Sequence, residues 1–314
     1  MGNLKRIKVG IVGLGKIARD QHIPNLTGNE AFELCAVADP NSSIAGVASY
    51  ESLGALLAGP EKVEAVAICT PPQSHYELAK AALSAGRHVL MEKPPCASLA
   101  QLDSLVRLAR KVGRTFYQTW HSQHAPAVHA ASQELQHRNI RRVEITWKED
   151  VYRWHPGQSW LWQAGGFGVL DPGMNALSIL TKLIPEPVFP RAAHLYVPTN
   201  RGAPIAAEVE LTTDAGLEIS AAFDFRESGP QRWNIDFATD AGGMRLSAGG
   251  GHLTLGDQPV PDDPGCLDSE YAALYRRFAE LISLRASEVD PRPLQLVADI
   301  FLIARHIPVE AFAP

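Results

Sequence analysis

The segment that most constrains the fold is a short apolar run followed by a glycine-rich turn near the start of the chain. Ile7 to Val12 has the composition of a buried β-strand, and the next six residues, Gly13-Leu14-Gly15-Lys16-Ile17-Ala18, fit the pattern G-x-G-x-x-A. The glycines permit a tight turn and close approach of a ligand to the backbone, while a helix that begins near Lys16 offers free N–H groups and a positive dipole end. The pattern therefore predicts a pyrophosphate site at a strand-to-helix turn.

A second strand and an acidic residue follow at the spacing that a dinucleotide site requires. Phe32 to Ala38 is strand-like, and Asp39 ends this run about 20 residues after the glycine motif. A carboxylate at this position binds the 2′-hydroxyl of the adenosine ribose and would repel a 2′-phosphate. Because Pro40 and Asn41 follow Asp39 and no arginine does, the sequence predicts NAD as the preferred cofactor and NADP as the less favoured one.

Strand and helix signals alternate from residue 7 to residue 120, which is typical of a doubly wound parallel sheet. Further strands are expected at 47–50, 63–68, 88–92 and 115–119, and helices at 53–58, 74–85 and 98–111. The last of these helices begins with the capping box Ser98-Leu99-Ala100-Gln101 and is followed by Gly113 as a stop signal. We therefore predict a dinucleotide-binding Rossmann domain over residues 1–122.

The apolar strand from His88 to Met91 ends in the sequence Glu92-Lys93-Pro94-Pro95. Prolines cannot extend a central strand, so the strand stops at the charged pair. Ligands of open parallel sheets bind outside the carboxyl ends of the strands, where Glu92 and Lys93 could face the cofactor. Thr70-Pro71-Pro72 ends the preceding strand, 63–68, in the same way, and this turn would lie at the same crevice beside the cofactor. A lysine that only caps a strand, and a plain turn at Thr70-Pro71, are the alternative interpretations.

The sequence pattern changes after residue 122 to alternation with a period of two. Apolar residues alternate with polar ones at 209–211, 219–225 and 233–237, which predicts an antiparallel sheet with one buried face. Two amphipathic helices are expected at 269–283 and 294–306, and a loop at 257–268. We therefore predict that residues 123–314 form a separate α+β domain built on an open antiparallel sheet.

The segment from Trp147 to Asn175 combines four of the six tryptophans with several ionisable side chains. Aromatic rings pack on the C–H faces of sugars, while carboxylates, imidazoles and amides bond hydroxyl groups, so this composition favours a polyhydroxylated ligand. The candidate residues are Glu149, Trp154, His155, Asp171 and Asn175. A solvated Glu149 and a purely structural His155 are the alternatives for these two residues taken singly.

Asp171 also fits a helix N-cap, with Pro172 at the first helical position, and an N-cap at a crevice would be partly exposed. A metal site built from Glu149, His155 and Asp171 is the less favoured interpretation, because no helical pair of histidines and no cysteine accompanies them. We therefore predict no metal site.

The charge of the chain limits the partners that it is expected to bind, and its cysteines indicate the compartment. The chain has 29 Lys and Arg against 34 Asp and Glu, a net charge of −5, and no long basic run, so neither nucleic acid nor a membrane surface is an expected partner. No uncharged apolar run approaches the roughly 18 residues of a membrane span. Cys35, Cys69, Cys96 and Cys266 show no CxxC spacing, which favours reduced thiols in a cytoplasmic protein.

Several of these motifs resemble those of the glucose-fructose oxidoreductase, inositol dehydrogenase and MocA (Gfo/Idh/MocA) family, and the resemblance runs along the whole chain. The motifs that carry it are the glycine motif, Ala38-Asp39, Cys69-Thr70-Pro71-Pro72 and Glu92-Lys93-Pro94. Residues 147–151, 153–158 and 171–179 are similar, more narrowly, to the bacterial D-galactose and L-arabinose 1-dehydrogenases of this family. At Asn175 the wider family commonly has histidine, and an amide cannot transfer protons.

The resemblance implies a Rossmann domain, an antiparallel substrate domain, a cis peptide bond before Pro94, and homodimers or homotetramers formed through the exposed sheet face. The implied reaction oxidises the C1 hemiacetal of D-galactose, L-arabinose or D-fucose to the aldonolactone, with hydride transfer to NAD(P). Lys93 and Asp171 are the implied acid and base, and the sequence does not decide which of them accepts the proton. The implied sugar-site residues are His121, Glu149, Trp154, His155 and Asn175.

Two other functions are compatible with the same motifs. One is a non-catalytic NAD-binding sugar sensor, since one fold can host different functions. The intact Lys93 and Asp171 argue against this sensor. The other is a cyclitol dehydrogenase or a glycoside-processing member of the same family, which would oxidise a secondary ring alcohol or act on a glycoside.

Overall fold

The computed structural model describes residues 6–261 and 269–313, and the chain divides into two compact units. The first unit runs to Trp120 and also includes Tyr271–Pro291, and the second comprises His121–Glu270 and the residues from Arg292 onward. The sequence suggested one division, at residue 122. The structure differs in that the segment Tyr271–Pro291 belongs to the first unit.

Within its described residues, the first unit contains a parallel sheet of six strands in the order β3-β2-β1-β4-β5-β6. The strands are β1 (Ile7–Val12), β2 (Phe32–Ala38), β3 (Ala48–Tyr50), β4 (Ala65–Ile68), β5 (His88–Met91) and β6 (Phe116–Gln118). The strand order reverses between β1 and β4, so the crevice at their carboxyl ends is a topological switch point. This architecture confirms the predicted doubly wound sheet.

The helices of this sheet are α1 (Ile23–Thr27), α2 (Leu53–Ala58), α3 (His75–Ser84) and α4 (Leu99–Val112). The last three begin and end close to the predicted positions. At the start of α4 the Ser98 side chain accepts a hydrogen bond from the Gln101 N–H, and at its end Gly113 adopts a left-handed conformation with φ of 62°. The predicted cap and stop signal of α4 are therefore confirmed.

The helix after the glycine motif is less regular than predicted. A π-helical turn spans Ala18–His22 before α1, which has Pro24 at its start. Proline has no N–H to bond the carbonyl four residues earlier, and its ring would clash with that carbonyl, so the wider turn relieves both problems. His22, the last residue of this turn, has a fully buried side chain.

The described part of the second unit contains a sheet of nine strands in the order β14-β13-β12-β11-β7-β10-β9-β8-β15. The strands are β7 (Ile140–Lys148), β8 (Val188–Pro198), β9 (Ala206–Thr213), β10 (Glu218–Asp224), β11 (Arg232–Thr239), β12 (Gly242–Ser247), β13 (His252–Leu255), β14 (Gln258–Pro259) and β15 (Arg305–Val309). Two neighbouring pairs, β7 with β10 and β8 with β15, are parallel. The sheet is therefore mixed, and the prediction of an antiparallel sheet holds for the remaining pairs. Period-two alternation reports a buried face but not strand direction.

The remaining helices are α5 (Pro126–Leu135), α6 (Val151–Trp154), α7 (Leu170–Leu183), α8 (Glu270–Leu284) and α9 (Arg292–Ile303). The helix that we predicted to reach His306 ends at Ile303, because residues from Arg305 onward pair with β8 as strand β15. Part of the predicted loop at 257–268 is strand β14, and residues 262–268 lie outside the described residues.

Helix α8 completes the core of the first unit. Its residues Tyr271, Leu274, Tyr275, Phe278 and Leu281 are buried in one cluster with β1, β2 and β4. Phe278 stacks on Phe32 with the ring centroids 5.7 Å apart.

Cys35, Cys69 and Cys96 are free thiols, and burial raises the pKa of all three. Cys266 lies outside the described residues. In residues 6–261 and 269–313, no helix combines the length and the apolarity that crossing a membrane requires.

Candidate active site

The glycine turn lies at the carboxyl end of β1 and packs against the end of β4. Gly13 has φ of +89°, and a Cβ atom there would lie 2.8 Å from Cγ2 of Thr70, so only glycine fits. A Cβ on Gly15 would meet no heavy atom of the described chain within 4 Å. The first amides of the following helix have no acceptor within that helix. Open space beside free N–H groups fits the pyrophosphate of a dinucleotide.

Asp39 is fixed at the end of β2 by two backbone amides. Its Oδ2 accepts a hydrogen bond from the Leu14 N–H at 2.8 Å, and its Oδ1 accepts one from the Asn41 N–H at 2.9 Å. The carboxylate therefore ties the glycine turn to the predicted ribose position. Lys16, which follows the glycines, pairs with Asp20 on the same helix.

Arg19 is a residue of this region that sequence reasoning missed. Its Nε donates to the Leu14 carbonyl at 3.0 Å, and its Nη2 donates to Ser42 Oγ at 2.5 Å. The guanidinium therefore stands beside the turn that follows Asp39. No arginine directly follows Asp39 in the sequence, whereas the fold brings Arg19 to this turn from the helix before it.

The turn at Lys93 contains the implied cis peptide bond, between Lys93 and Pro94. Buried His75 joins this turn to the one after β4: its Nδ1 lies 2.8 Å from the Pro94 carbonyl oxygen and its Nε2 lies 2.6 Å from that of Thr70. Burial lowers the pKa of His75 below its ordinary value, against the raising effect of these carbonyls. His75 thus links the two proline-containing turns.

In the second unit, Glu149 is the centre of a buried polar cluster. Its side chain follows β7 and is only 2% exposed. Oε1 lies 2.7 Å from Nε2 of His155, and Oε2 accepts a hydrogen bond of 2.7 Å from the indole N–H of Trp233. The other ring nitrogen of His155 lies 3.1 Å from the side-chain amide of Gln158. These contacts rule out the solvated alternative for Glu149.

Three indole rings pack beside this carboxylate. Trp233 stacks on Trp147 with centroids 5.8 Å apart and touches Trp154 at 4.7 Å. The guanidinium of Arg153 lies over the Trp154 ring. Trp233 and Gln158 were not among the predicted site residues. The signal for Trp233 was its position as a tryptophan in the predicted strand at 233–237.

Asp171 lies in the first turn of α7 as its second residue, because Val169 occupies the N-cap position and Leu170 begins the helix. The prediction that Asp171 is the N-cap is therefore wrong, and so is the expected partial exposure, since the side chain is 2% exposed. Its own N–H donates to the Gly168 carbonyl at 3.0 Å, which starts the helix without a side-chain cap. Asn175 lies one turn later, on the same helical face as Asp171.

His121 lies in a short 3₁₀ turn, His121–His124, and its Nδ1 is 2.5 Å from Oε2 of Glu270. Sequence reasoning missed Glu270, which begins a predicted amphipathic helix and gave no signal of its own.

The structure thus places the predicted site residues in two groups. Lys93, Glu92, Asp39, Thr70 and the glycine motif belong to the first unit, and the predicted sugar residues and Asp171 belong to the second. Over the described ranges, no three His, Cys, Asp or Glu side chains are grouped as a metal-binding set. Glu149 and His155 bond each other instead.

Comparison with known proteins agrees with this arrangement. The model of the Gfo/Idh/MocA family, described as an oxidoreductase family with an NAD-binding Rossmann fold, matches residues 7–120. A galactose 1-dehydrogenase of Pseudomonas fluorescens is 43% identical over 311 residues, which are 98% of this chain and 99% of that protein.

Solved structures give the same result. A D-galactose-1-dehydrogenase from Rhizobium etli superposes with a TM-score of 0.93 at 46% identity, with all of both chains covered. KijD10, a 3-ketoreductase from Actinomadura kijaniata, superposes with a TM-score of 0.84 at 22% identity over 97% of this chain and 100% of that chain, a similarity of fold. The chain described here therefore belongs to the Gfo/Idh/MocA family of NAD-binding oxidoreductases.

Proposed function

We propose that this protein is an aldose 1-dehydrogenase that oxidises the C1 hemiacetal of D-galactose and of sugars with the same hydroxyl configuration. The observation that carries the proposal is the buried cluster of Glu149, His155 and Trp233 beside stacked indole rings. Such a cluster offers hydrogen bonds to hydroxyl groups next to an aromatic surface for a sugar ring. Near-identical length and more than 40% identity to galactose 1-dehydrogenases from two bacteria support the same reaction.

The proposed reaction needs a base for the C1 hydroxyl and an acceptor for the C1 hydride. Bound NAD supplies the hydride acceptor. Lys93 and Asp171 are the proposed acid and base: one takes the hydroxyl proton and the other stabilises the charge that develops on the C1 oxygen. Asp171 is buried near the positive end of α7, which favours a carboxylate there. Glu149, Trp154, His155, Asn175 and His121 are the proposed contacts to the other hydroxyls and to the sugar ring.

The proposed sugar specificity follows from stereochemistry. L-arabinose and D-fucose share the configuration of D-galactose at C2, C3 and C4, whereas D-glucose inverts C4. When glucose binds to a site that hydrogen-bonds an axial C4 hydroxyl, buried polar groups of that site stay unpaired. Each unpaired group costs about 1–3 kcal/mol of binding free energy. We expect a loss of roughly 10- to 100-fold in kcat/KM for glucose.

The test is initial-rate NADH formation on the free sugars, on inositols and on methyl β-galactoside. Galactose, fucose and arabinose should be oxidised, glucose poorly, and the glycoside not at all because its C1 is blocked. Oxidation of the glycoside or of an inositol would contradict oxidation at C1. It would favour the cyclitol dehydrogenase or the glycoside-processing enzyme of the same family. Tight NAD binding without turnover of any sugar would instead support the sensor.

We also propose that the protein works in the cytoplasm as a homodimer or homotetramer, formed through the exposed face of the second unit's sheet. Free thiols at Cys35, Cys69 and Cys96 support a reducing compartment. Ala222 lies on the outer face of β10 between Thr146 and Glu208 of the neighbouring strands, a small residue suited to a close interface. Ala222→Arg should give monomers in sedimentation analysis. A parent protein that is already monomeric would contradict this assembly.

A further inference from the structure

Four buried side chains of the first unit meet behind the Lys93 turn. They are His22 from the π-helical turn, Glu92 from the end of β5, and Tyr271 and Tyr275 from α8, and none is more than 4% exposed. Glu92 Oε1 lies 2.9 Å from His22 Nε2 and accepts a hydrogen bond of 2.9 Å from the Tyr271 hydroxyl. On the other side of the imidazole, His22 Nδ1 lies 2.8 Å from the Tyr275 hydroxyl.

The proton positions in this cluster follow from the partners. Burial raises the pKa of the Tyr275 hydroxyl well above its ordinary value, so it remains an O–H donor. The tautomer of His22 that bonds both neighbours accepts this hydrogen at Nδ1 and donates its Nε2 hydrogen to Glu92. Glu92 thus receives three donors, since the Lys93 N–H also bonds its Oε2 at 3.1 Å, and an ionised carboxylate fits all three.

This buried anion stands at the edge of the sheet where the cofactor binds. Glu92 follows β5, which neighbours β4, and β4 neighbours β1 with its glycine turn. The carboxyl ends of parallel strands lie on the same side of the sheet. The charge of Glu92 therefore lies beside the same crevice as the pyrophosphate position, two strands away from it. Burial raises the pKa of Cys69 at the end of β4, and the negative charge of Glu92 adds to this effect.

The charge has a consequence for the cofactor. The nicotinamide ring is positively charged when oxidised and neutral when reduced. A fixed anion near this ring therefore favours the oxidised form, and in a buried site this preference is weakly screened. We propose that His22 is a positioning residue that holds Glu92 as a buried anion at the carboxyl end of β5, near the nicotinamide position, so that this site binds oxidised cofactor preferentially over reduced cofactor. The inference rests on NAD binding by the first unit, and it is independent of which sugar is oxidised.

A buried pair of this kind could also serve packing alone, and the experiment has to separate the two roles. The readout is the ratio of the dissociation constants of NADH and NAD, measured by calorimetry or NADH fluorescence on the full chain without sugar. Loss of packing weakens both forms together and leaves the ratio unchanged. Loss of the charge changes the ratio.

Glu92→Gln keeps the shape and removes the charge, and we expect the preference for NAD to fall about tenfold, equivalent to about 1.4 kcal/mol. His22→Leu removes the Nε2 donor and should shift the ratio in the same direction. His22→Gln retains an amide N–H donor and should restore most of the preference. Phe278→Leu is the matched control, because it disturbs the same core through stacking with Phe32 and removes no hydrogen bond of the cluster.

A ratio that stays within twofold of the parent in both Glu92→Gln and His22→Leu would overturn the proposal and leave a structural role. If His22→Leu does not fold, Glu92→Gln and His22→Gln carry the same test. Failure of the proposed sugar oxidation would leave these binding ratios unaffected, so the two proposals fail separately.

Discussion

The indole nitrogen of Trp233 donates to Oε2 of Glu149 over 2.7 Å, although the two residues are far apart in sequence and lie on or beside different strands. Strands β7 and β11 are antiparallel neighbours, and Trp147 pairs directly with Trp233 in their register. The sheet therefore brings together an aromatic residue and a carboxylate that the sequence separates. A carboxylate held by both an indole and an imidazole is pre-oriented before any ligand arrives.

We expect Trp233→Phe to raise the KM for the sugar about tenfold, with a smaller change in kcat and unchanged NAD affinity. The substitution keeps an aromatic ring and removes the N–H that orients Glu149. A hydrogen bond of this kind contributes about 1–2 kcal/mol in a buried site. Steady-state kinetics at saturating NAD measures this. Trp162→Phe, a buried indole of the same unit that does not bond Glu149, is the control, and an unchanged KM in Trp233→Phe would show that the orientation is dispensable.

For the reacting groups, Lys93→Met should lower kcat by at least ~10² while NAD affinity changes little, because proton transfer or charge stabilisation at the C1 oxygen is lost. Asp171→Asn should have a loss of similar size. The pH profile of kcat in each variant identifies the base. The variant that lacks the base should lose the limb of the profile that the titration of this base produces. Normal kcat with a raised KM would make Lys93 a binding residue.

Cofactor choice should depend on the charge of Asp39. The parent enzyme should use NAD with higher catalytic efficiency than NADP, and Asp39→Ser with Pro40→Arg should narrow or reverse this preference. Asp39→Asn separates charge from structure, because an amide oxygen can still accept the Leu14 N–H. We expect it to improve NADP use about tenfold, and Arg19→Gln in the same background should remove that gain. Equal use of both cofactors by the parent would refute the assignment.

Stability should fall on mild acidification because of His88. Its Nδ1 accepts a hydrogen bond from the Thr115 N–H, and burial together with Arg114 lowers its pKa from 6.5 to about 4. Between these two values the unfolded chain binds a proton that the folded chain does not, so the free energy of unfolding decreases as the pH falls from 6.5 to 4.

His88→Asn keeps an acceptor for Thr115 and removes the titration, so thermal unfolding should depend less steeply on pH over this range. Part of the slope should remain, because burial lowers the pKa of His75 as well. His137→Asn, at an exposed position after α5, is the control and should leave the slope unchanged. An identical slope in His88→Asn and the parent would contradict the prediction.

Local signals in the sequence predicted the elements of the first unit well. The helix at Leu53–Ala58 and the capped helix after Ser98 were recognised because their start and stop signals lie within a few residues of the helix ends. The position of the Lys93 turn followed from prolines that end a strand. Each of these features depends on neighbours in the sequence.

The missed features depend on contacts between distant residues. The parallel pairing of β7 with β10 and the strand β15 are decided by which strands meet, and the periodicity of a single strand carries no such information. Likewise, the apolar face of α8 predicted burial but not which core it enters. Asp171 was misplaced by two positions, since the N-cap is Val169, because the helix starts on a backbone turn at Gly168 rather than on a side-chain cap.

The contribution of α8 to the first unit also bears on how the chain folds as it is synthesised. A ribosome releases the first 120 residues long before Tyr275 and Phe278 exist, and until then Phe32 and Tyr117 lack the rings that cover them. The nucleotide-binding unit therefore reaches its final packing only after most of the second unit has been made. A fragment that ends at residue 122 should expose this apolar surface and aggregate, whereas a fragment joined by a short linker to residues 270–291 should remain in solution.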